Sequence, residues 1–302
     1  MIISKLKALF KLMRWFHEVA VMLPFVTLYI VINYFSVLNN SFCELPFYQF
    51  VILCFCVQLL IAAGCVLNDI VDRKIDVINK PHTHIINNAI SLREAKIIFA
   101  ILSLLIIICS VYISIYMFYE WRYIALLVYI ISLLYDFYFK RTPLLGNIIM
   151  AILTAFIPLV LMFYAKDCIN EINNLKLNTL IYLFAFFPML IIIPRELSLD
   201  ISDIEGDKAC GCKTLPIVIG IKKSKHLVQL LIILIIVLSI ILMYYCYYLT
   251  IICLLIDSML IYYIRLLRNS ADRLDYIKAG RFLWFTMIIG LIGFSLVTFF
   301  NP

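Results

Sequence analysis

Nine apolar stretches divide this chain, at about residues 15–38, 47–67, 97–118, 123–139, 144–165, 178–198, 226–246, 249–267 and 282–300. A helix rises 1.5 Å per residue, so about 20 mostly apolar residues cross roughly 30 Å of bilayer hydrocarbon. Each stretch is therefore read as a spanning helix. Composition agrees, with 65% of the 302 residues hydrophobic and 14% charged, against roughly 25% charged in a soluble domain. The expected fold class is an all-α membrane protein with nine transmembrane helices. No segment between the stretches is long enough for a second domain, so residues 1–302 are expected to form one membrane domain. The first stretch is too long for a signal-peptide core and no small-residue cleavage site follows it, which argues against a cleaved leader.

The basic residues orient these spans. With the N-terminus cytoplasmic, 21 of the 25 Lys and Arg fall on the cytoplasmic side, in residues 5–14, 73–96, 140–141, 208–225 and 265–281. Arg122, Lys166 and Lys176 remain opposite, and Arg195 sits at a span end. This is the positive-inside pattern, and an odd number of spans then leaves the C-terminus outside. The net charge of +7 reads as topology and contact with anionic lipid rather than nucleic-acid binding, which would need a soluble face. The Ile-rich, Asn-rich, Ala-poor composition suggests an AT-rich microbial genome, and the expected location is a microbial cell (inner) membrane. Most of the ten cysteines lie inside spans as small hydrophobes. Cys210 and Cys212 lack a nearby His or second Cys pair, so neither a metal site there nor a disulfide framework is expected.

Two acidic stretches stand out. After the second span the chain reads GCVLNDIVDRKIDVINKP, with Asp69, Asp72 and Asp76; after the sixth it reads DISDIEGD, with Asp200, Asp203 and Asp207. Both trios are spaced three then four, and a constant offset of 131 residues relates them. At about 100° per residue such a trio projects within roughly 60° of one helical face. Asn68 adds a ligand stacked with Asp72 and Asp76 at i, i+4 and i+8. Like charges gathered at the ends of buried helices repel unless cations neutralise them. Carboxylate and amide oxygens select a hard cation such as Mg²⁺, which keeps waters and prefers to share a phosphate. Two acidic faces thus suggest two Mg²⁺ ions gripping one diphosphate.

These residues resemble the UbiA superfamily of intramembrane prenyltransferases. NDIVDRKID looks like its first motif, N-D-x-x-D-x-x-x-D, and DISDIEGD looks like its second, with the D-x-x-x-D core at Asp203 and Asp207; YDFYFKRTPLLGN before the fifth span is also similar. The resemblance implies a helical bundle around a central cavity, capped by cytoplasmic loops. It implies metal ligands at Asn68, Asp72, Asp76, Asp203 and Asp207, with Asp69 and Asp200 in supporting positions of the metal site. It implies diphosphate contacts from Arg73, Lys140, Arg141, Arg195 and Lys213. The catalytic set is then Asp72, Asp76, Asp203 and Asp207 with Tyr135, and the cofactor is Mg²⁺.

The chemistry also follows from general principles. An allylic diphosphate ionises when its leaving group is neutralised, which Mg²⁺ and Lys or Arg clamps accomplish. The prenyl cation needs a dry, aromatic-walled pocket, for which Phe55, Tyr129, Tyr135, Phe137 and Tyr138 are candidates. Arg14, Trp15 and Glu18 are read as markers of the membrane interface, and His82 and His84 as solvated. Lys80 stands where many relatives carry the Arg of N-R-P, Pro81 is kept, and a later S-G is missing. For the acceptor, EGDK and KTLPIVIG resemble the branch that makes archaeal-type ether lipids, which implies transfer to geranylgeranylglyceryl phosphate. The alternative is an aromatic acceptor of quinone synthesis. A transporter would carry its acids at the bilayer midplane on broken helices, and the D-G-x-x-A-R signature of CDP-alcohol transferases is absent.

Overall fold

The computed structural model describes residues 2–40 and 45–301; the side chains of residues 2–4 and 16–21, and with them that of Glu18, lie outside the described set. The helices run in chain order as α1 (Ile2–Leu12), α2 (Trp15–Leu38), α3 (Phe47–Asn79), α4 (Leu92–Tyr116), α5 (Trp121–Phe137), α6 (Leu145–Tyr164), α7 (Lys166–Ile172), α8 (Leu175–Ser202), α9 (Ile204–Ala209), α10 (Leu215–Ile219), α11 (Ile221–Tyr245), α12 (Thr250–Asn269) and α13 (Arg273–Phe300). Among the described residues, eight apolar segments, carried by α3, α4, α5, α6, α8, α11, α12 and α13, are long enough to cross a bilayer. The protein is an integral membrane protein with an all-helical fold. α2, the remaining expected span, is apolar over Met22–Leu38, the part whose side chains are described. Cys168 in α7 is disulfide-bonded, where the sequence implies no disulfide.

The chain divides into two compact units. The first comprises residues 1–22, 45–140 and 205–212. Its axis is α3, 33 residues long, which packs on α4 and α5. Ala62 and Ala63 lie in its core with Leu59, Val66 and Ile70, facing Ala95, Leu102 and Ile106 of α4. Lipid is as apolar as these side chains, so close van der Waals packing over small residues, rather than water exclusion, holds such helices together. α1 adds Ala8 and Leu12 to the same core. Between α3 and α4 the loop is pinned by Ile85, Ile86 and Ile90, all buried there. α4 then starts at a capping box: Ser91 accepts from the Glu94 amide at 3.2 Å, and Glu94 accepts from the Ser91 amide at 2.8 Å. Such a box satisfies two otherwise unpaired donors of the first turn. Lys5 of α1 reaches the same Glu94 at 2.7 Å.

The second unit comprises residues 23–44, 141–204 and 213–302. α8 is its centre, packed against α6, α11 and α13. α13 approaches α8 closely because it presents glycines: a Cβ at Gly280 would stand 3.0 Å from Leu199, and one at Gly290 would stand 2.5 Å from Phe187. Ser198 donates to the Pro194 carbonyl at 2.8 Å and meets the Tyr263 hydroxyl of α12 at 2.5 Å, both residues fully buried. With the serine proton committed to Pro194, Tyr263 is the donor. Interhelical bonds of this kind contribute about 1 kcal/mol in a membrane.

Candidate active site

In the first unit α3 continues unbroken past its apolar part to Asn79. Asn68, Asp72 and Asp76 therefore stack along one side of a single helix, as their spacing predicts. Each carboxylate of the motif carries a basic partner. Asp69 is buried and accepts from Arg14 at 3.1 Å; the same guanidinium reaches Asn68 Oδ1 at 3.4 Å. Asp72 Oδ2 pairs with Lys140 at 2.8 Å, and Asp76 pairs with Lys80 at 2.9 Å. Arg14 thus joins the motif instead of only marking the membrane interface. It does so from the tight turn between α1 and α2, where its φ is 52°. That left-handed conformation costs a non-glycine residue roughly 1–2 kcal/mol.

The polar end of α3 also holds α9. The Gly206 amide donates to Asn79 Oδ1 at 3.0 Å in a buried contact. This amide lies in the first turn of α9, where helix N–H groups have no partner within the helix. A Cβ on Gly206 would stand 2.6–2.7 Å from the Asn79 carboxamide. Gly206→Ala is expected to cost about 1–3 kcal/mol through this overlap, and the double variant with Asn79→Ala to recover part of it. Thermal unfolding of the detergent-solubilised protein reads both. A single variant that melts like the parent would show that the two groups are not in contact. Asp207 sits on α9, half-buried, its carbonyl accepting from the Cys212 amide at 2.9 Å.

At the end of α8 the expected single helical face of Asp200, Asp203 and Asp207 is corrected. α8 ends at Ser202, Asp203 is its C-cap, and the chain turns before α9 resumes at Ile204. At this turn the Ser202 hydroxyl lies 2.7 Å from the Leu199 carbonyl and 3.2 Å from Asp203 Oδ1, and the Asp203 amide still donates to the same carbonyl at 3.0 Å. Asp200, still on α8, accepts from the buried Asn147 of α6 at 2.8 Å. Asp203 pairs with Arg273 at 3.0 Å, a residue placed by the start of α13, where Asp272 caps the helix through the Asp275 amide.

The expected diphosphate residues separate into two kinds. Lys140 is committed to carboxylates, touching both Asp72 and, at 3.3 Å, Asp136. Arg141 and Lys213 are exposed, and the Lys213 amide donates to the Arg141 carbonyl at 2.9 Å, so their two side chains leave neighbouring points of the backbone. Arg73 bonds the Ile70 carbonyl at 3.1 Å, and Arg195 pairs with its neighbour Glu196. Among the aromatics, Phe55, Phe137 and Tyr138 are exposed, Tyr135 is half-buried, and Tyr129 bonds Ser103 at 2.9 Å. His82 is exposed and His84 faces the Lys80 carbonyl at 3.1 Å.

The donor set suits a hard cation. It is made of carboxylate and carboxamide oxygens, and Asp72 Oδ1 is buried with no hydrogen-bond partner. Among the described residues no three His, Cys, Asp or Glu side chains converge as a closed cage. Mg²⁺ does not need one, since it commonly takes one or two carboxylates, several waters and substrate phosphates. Sequence reading missed four members of the arrangement. Asp136 and Asn147 are buried polar groups within apolar helices, a signal available in the sequence. Arg14 and Arg273 carry no such signal, because only the folded chain brings them to Asp69 and Asp203.

The chain is similar in sequence and fold to known proteins. The model of the UbiA prenyltransferase family matches residues 22–286. Digeranylgeranylglyceryl phosphate synthase from Methanobrevibacter smithii is 31% identical over 243 residues, 79% of this chain and 83% of that relative. A solved structure concerned with digeranylgeranylglyceryl phosphate synthase in membranes aligns with a TM-score of 0.66 at 28% identity, covering 98% of this chain and 99% of that one. A UbiA homolog from Archaeoglobus fulgidus bound to GPP and Mg²⁺ shares the fold, with a TM-score of 0.53 at 17% identity over 92% of this chain and 99% of that one.

Proposed function

We propose, since the chain belongs to the UbiA prenyltransferase family, that it transfers a geranylgeranyl group from its diphosphate to geranylgeranylglyceryl phosphate. The observation that carries this reading is the likeness to digeranylgeranylglyceryl phosphate synthase across most of both chains. Mg²⁺, when bound, neutralises the diphosphate and so lowers the cost of its departure. Asn68, Asp72 and Asp76 of the first motif and Asp203 and Asp207 of the second are the groups that would hold two such ions, with Asp69 and Asp200 supporting them. Arg141 and Lys213 are free to point at an anion and clamp the diphosphate, aided by Lys140, Arg73 and Arg195.

In the proposed reaction the allylic C–O bond breaks with its electron pair leaving on the diphosphate. The acceptor's hydroxyl oxygen bonds the prenyl carbon, and its proton passes to the departing diphosphate. Tyr135 would face the developing cation, where the negative face of a ring is favourable. The N-terminus and the mouth of the site are assigned to the cytoplasm, following the excess of Lys and Arg on that side.

Membranes carrying the protein, given labelled geranylgeranyl diphosphate and a panel of acceptors, test the acceptor. Label should enter geranylgeranylglyceryl phosphate. Label entering 4-hydroxybenzoate or homogentisate instead would move the protein to the aromatic branch.

A further inference from the structure

We infer that Asp136 is a positioning residue that sets the cation affinity of the first motif. The inference rests on the reading above, in which Asn68 and Asp72 hold Mg²⁺. Asp136 belongs to neither acidic motif. It lies one turn before Lys140, near the end of α5, and is 2% exposed. Its Oδ1 accepts from Asn68 Nδ2 at 3.0 Å and from Lys140 Nζ at 3.3 Å, while the same Nζ stands 2.8 Å from Asp72 Oδ2.

Two consequences follow from this geometry. An ionised carboxylate only accepts hydrogen bonds, so it must be met by the nitrogen of the Asn68 carboxamide. The amide oxygen, the one atom of that group able to ligate a hard cation, is thereby turned away from Asp136. It already faces a positive group, Arg14 Nη2, at 3.4 Å. The second consequence concerns charge. One ammonium is divided between two carboxylates, which leaves the group of Asp72, Asp136 and Lys140 one negative charge in excess. Without Asp136, Lys140 would pair wholly with Asp72 and the group would be neutral. A buried carboxylate is costly to keep; here it orients one ligand and loosens the hold of Lys140 on another.

Mn²⁺ titration of the purified full-length protein, followed by electron paramagnetic resonance, tests this directly. Asp136→Asn should weaken Mn²⁺ binding by ~10-fold, the scale of losing a group that orients a metal ligand, and Asp136→Glu should restore most of it. Raised Mg²⁺ should then rescue transfer by Asp136→Asn with the KM for the prenyl diphosphate unchanged, which a merely structural defect would not allow. Lys140→Met, which releases both carboxylates to the cation, should move Mn²⁺ affinity the opposite way. Scored on its folded fraction, this variant carries the test should Asp136→Asn fail to fold. Parental Mn²⁺ affinity in folded Asp136→Asn, or weaker binding in Lys140→Met, overturns the inference. If Asp72→Asn binds Mn²⁺ as the parent does, the metal reading itself fails instead.

Discussion

Alanine at Asp72 or at Asp203 is expected to lower turnover by ~100-fold or more in each case, the scale of losing one preorganised electrostatic group. Each substitution removes a proposed ligand and also strands a cation. Lys140 would keep only Asp136 when Asp72 is lost, and Arg273 would lose its partner at 3.0 Å when Asp203 is lost. Steady-state transfer rates of the purified variants, at equal folded protein and saturating Mg²⁺, read the effect. Chelation by EDTA should abolish transfer by the parent. Full activity of either variant in the presence of EDTA would remove the metal role of both motifs.

The second large effect separates two adjacent cations. Lys140 is only 10% exposed and lies between Asp72 and Asp136. Its removal leaves two buried carboxylates without their counter-ion, a loss of about 3–5 kcal/mol for a buried pair. Lys140→Ala should therefore lower the unfolding temperature as well as activity. Arg141 is exposed, so Arg141→Ala should melt like the parent. It should instead raise the KM for the prenyl diphosphate by ~10-fold and slow ionisation, as expected for one charge-assisted hydrogen bond of about 1.5–3 kcal/mol. The acceptor KM should stay nearly unchanged. Unaltered diphosphate kinetics in Arg141→Ala would reduce that residue to a topology marker.

The first motif was legible in the sequence because its information is local. Asn68, Asp72 and Asp76 follow the helical repeat, and α3 carries that repeat through to Asn79. The second motif has the same spacing, yet the helix stops at Ser202 with Asp203 as its C-cap. Spacing alone does not contain that choice. The apolar stretches found the spanning helices for the same reason that they found α3, since bilayer thickness sets their length. They undercounted α13, whose charged first turns from Arg273 lie outside the apolar run. α1 was hidden too, its basic residues read only as topology although Ala8 and Leu12 are core residues.

What the sequence withheld is mostly pairing. Lys80, Arg14, Lys140 and Arg273 all counted toward the positive-inside excess, and each proves to hold a motif carboxylate. Nothing in residue type distinguishes these from Lys74 or Lys208, which are exposed. A partner 55 residues away in the chain, as Asp69 is for Arg14, is a property of the packed helices. Asp136, like Asn147, could have been found. An acid in an apolar helix with a lysine one turn on is a functional candidate by cost alone.

Mg²⁺-dependent prenyl transfer to a glyceryl phosphate is the central activity proposed for this protein. It is tested most directly with the purified protein, geranylgeranyl diphosphate and geranylgeranylglyceryl phosphate, by measuring product mass and diphosphate release together. The expected result is one ether-linked geranylgeranyl group gained and one diphosphate released per turnover, with both signals lost on chelation of Mg²⁺ and restored by its return. Transfer that persists undiminished in EDTA, or diphosphate release with no prenylated glyceryl phosphate formed, would contradict it.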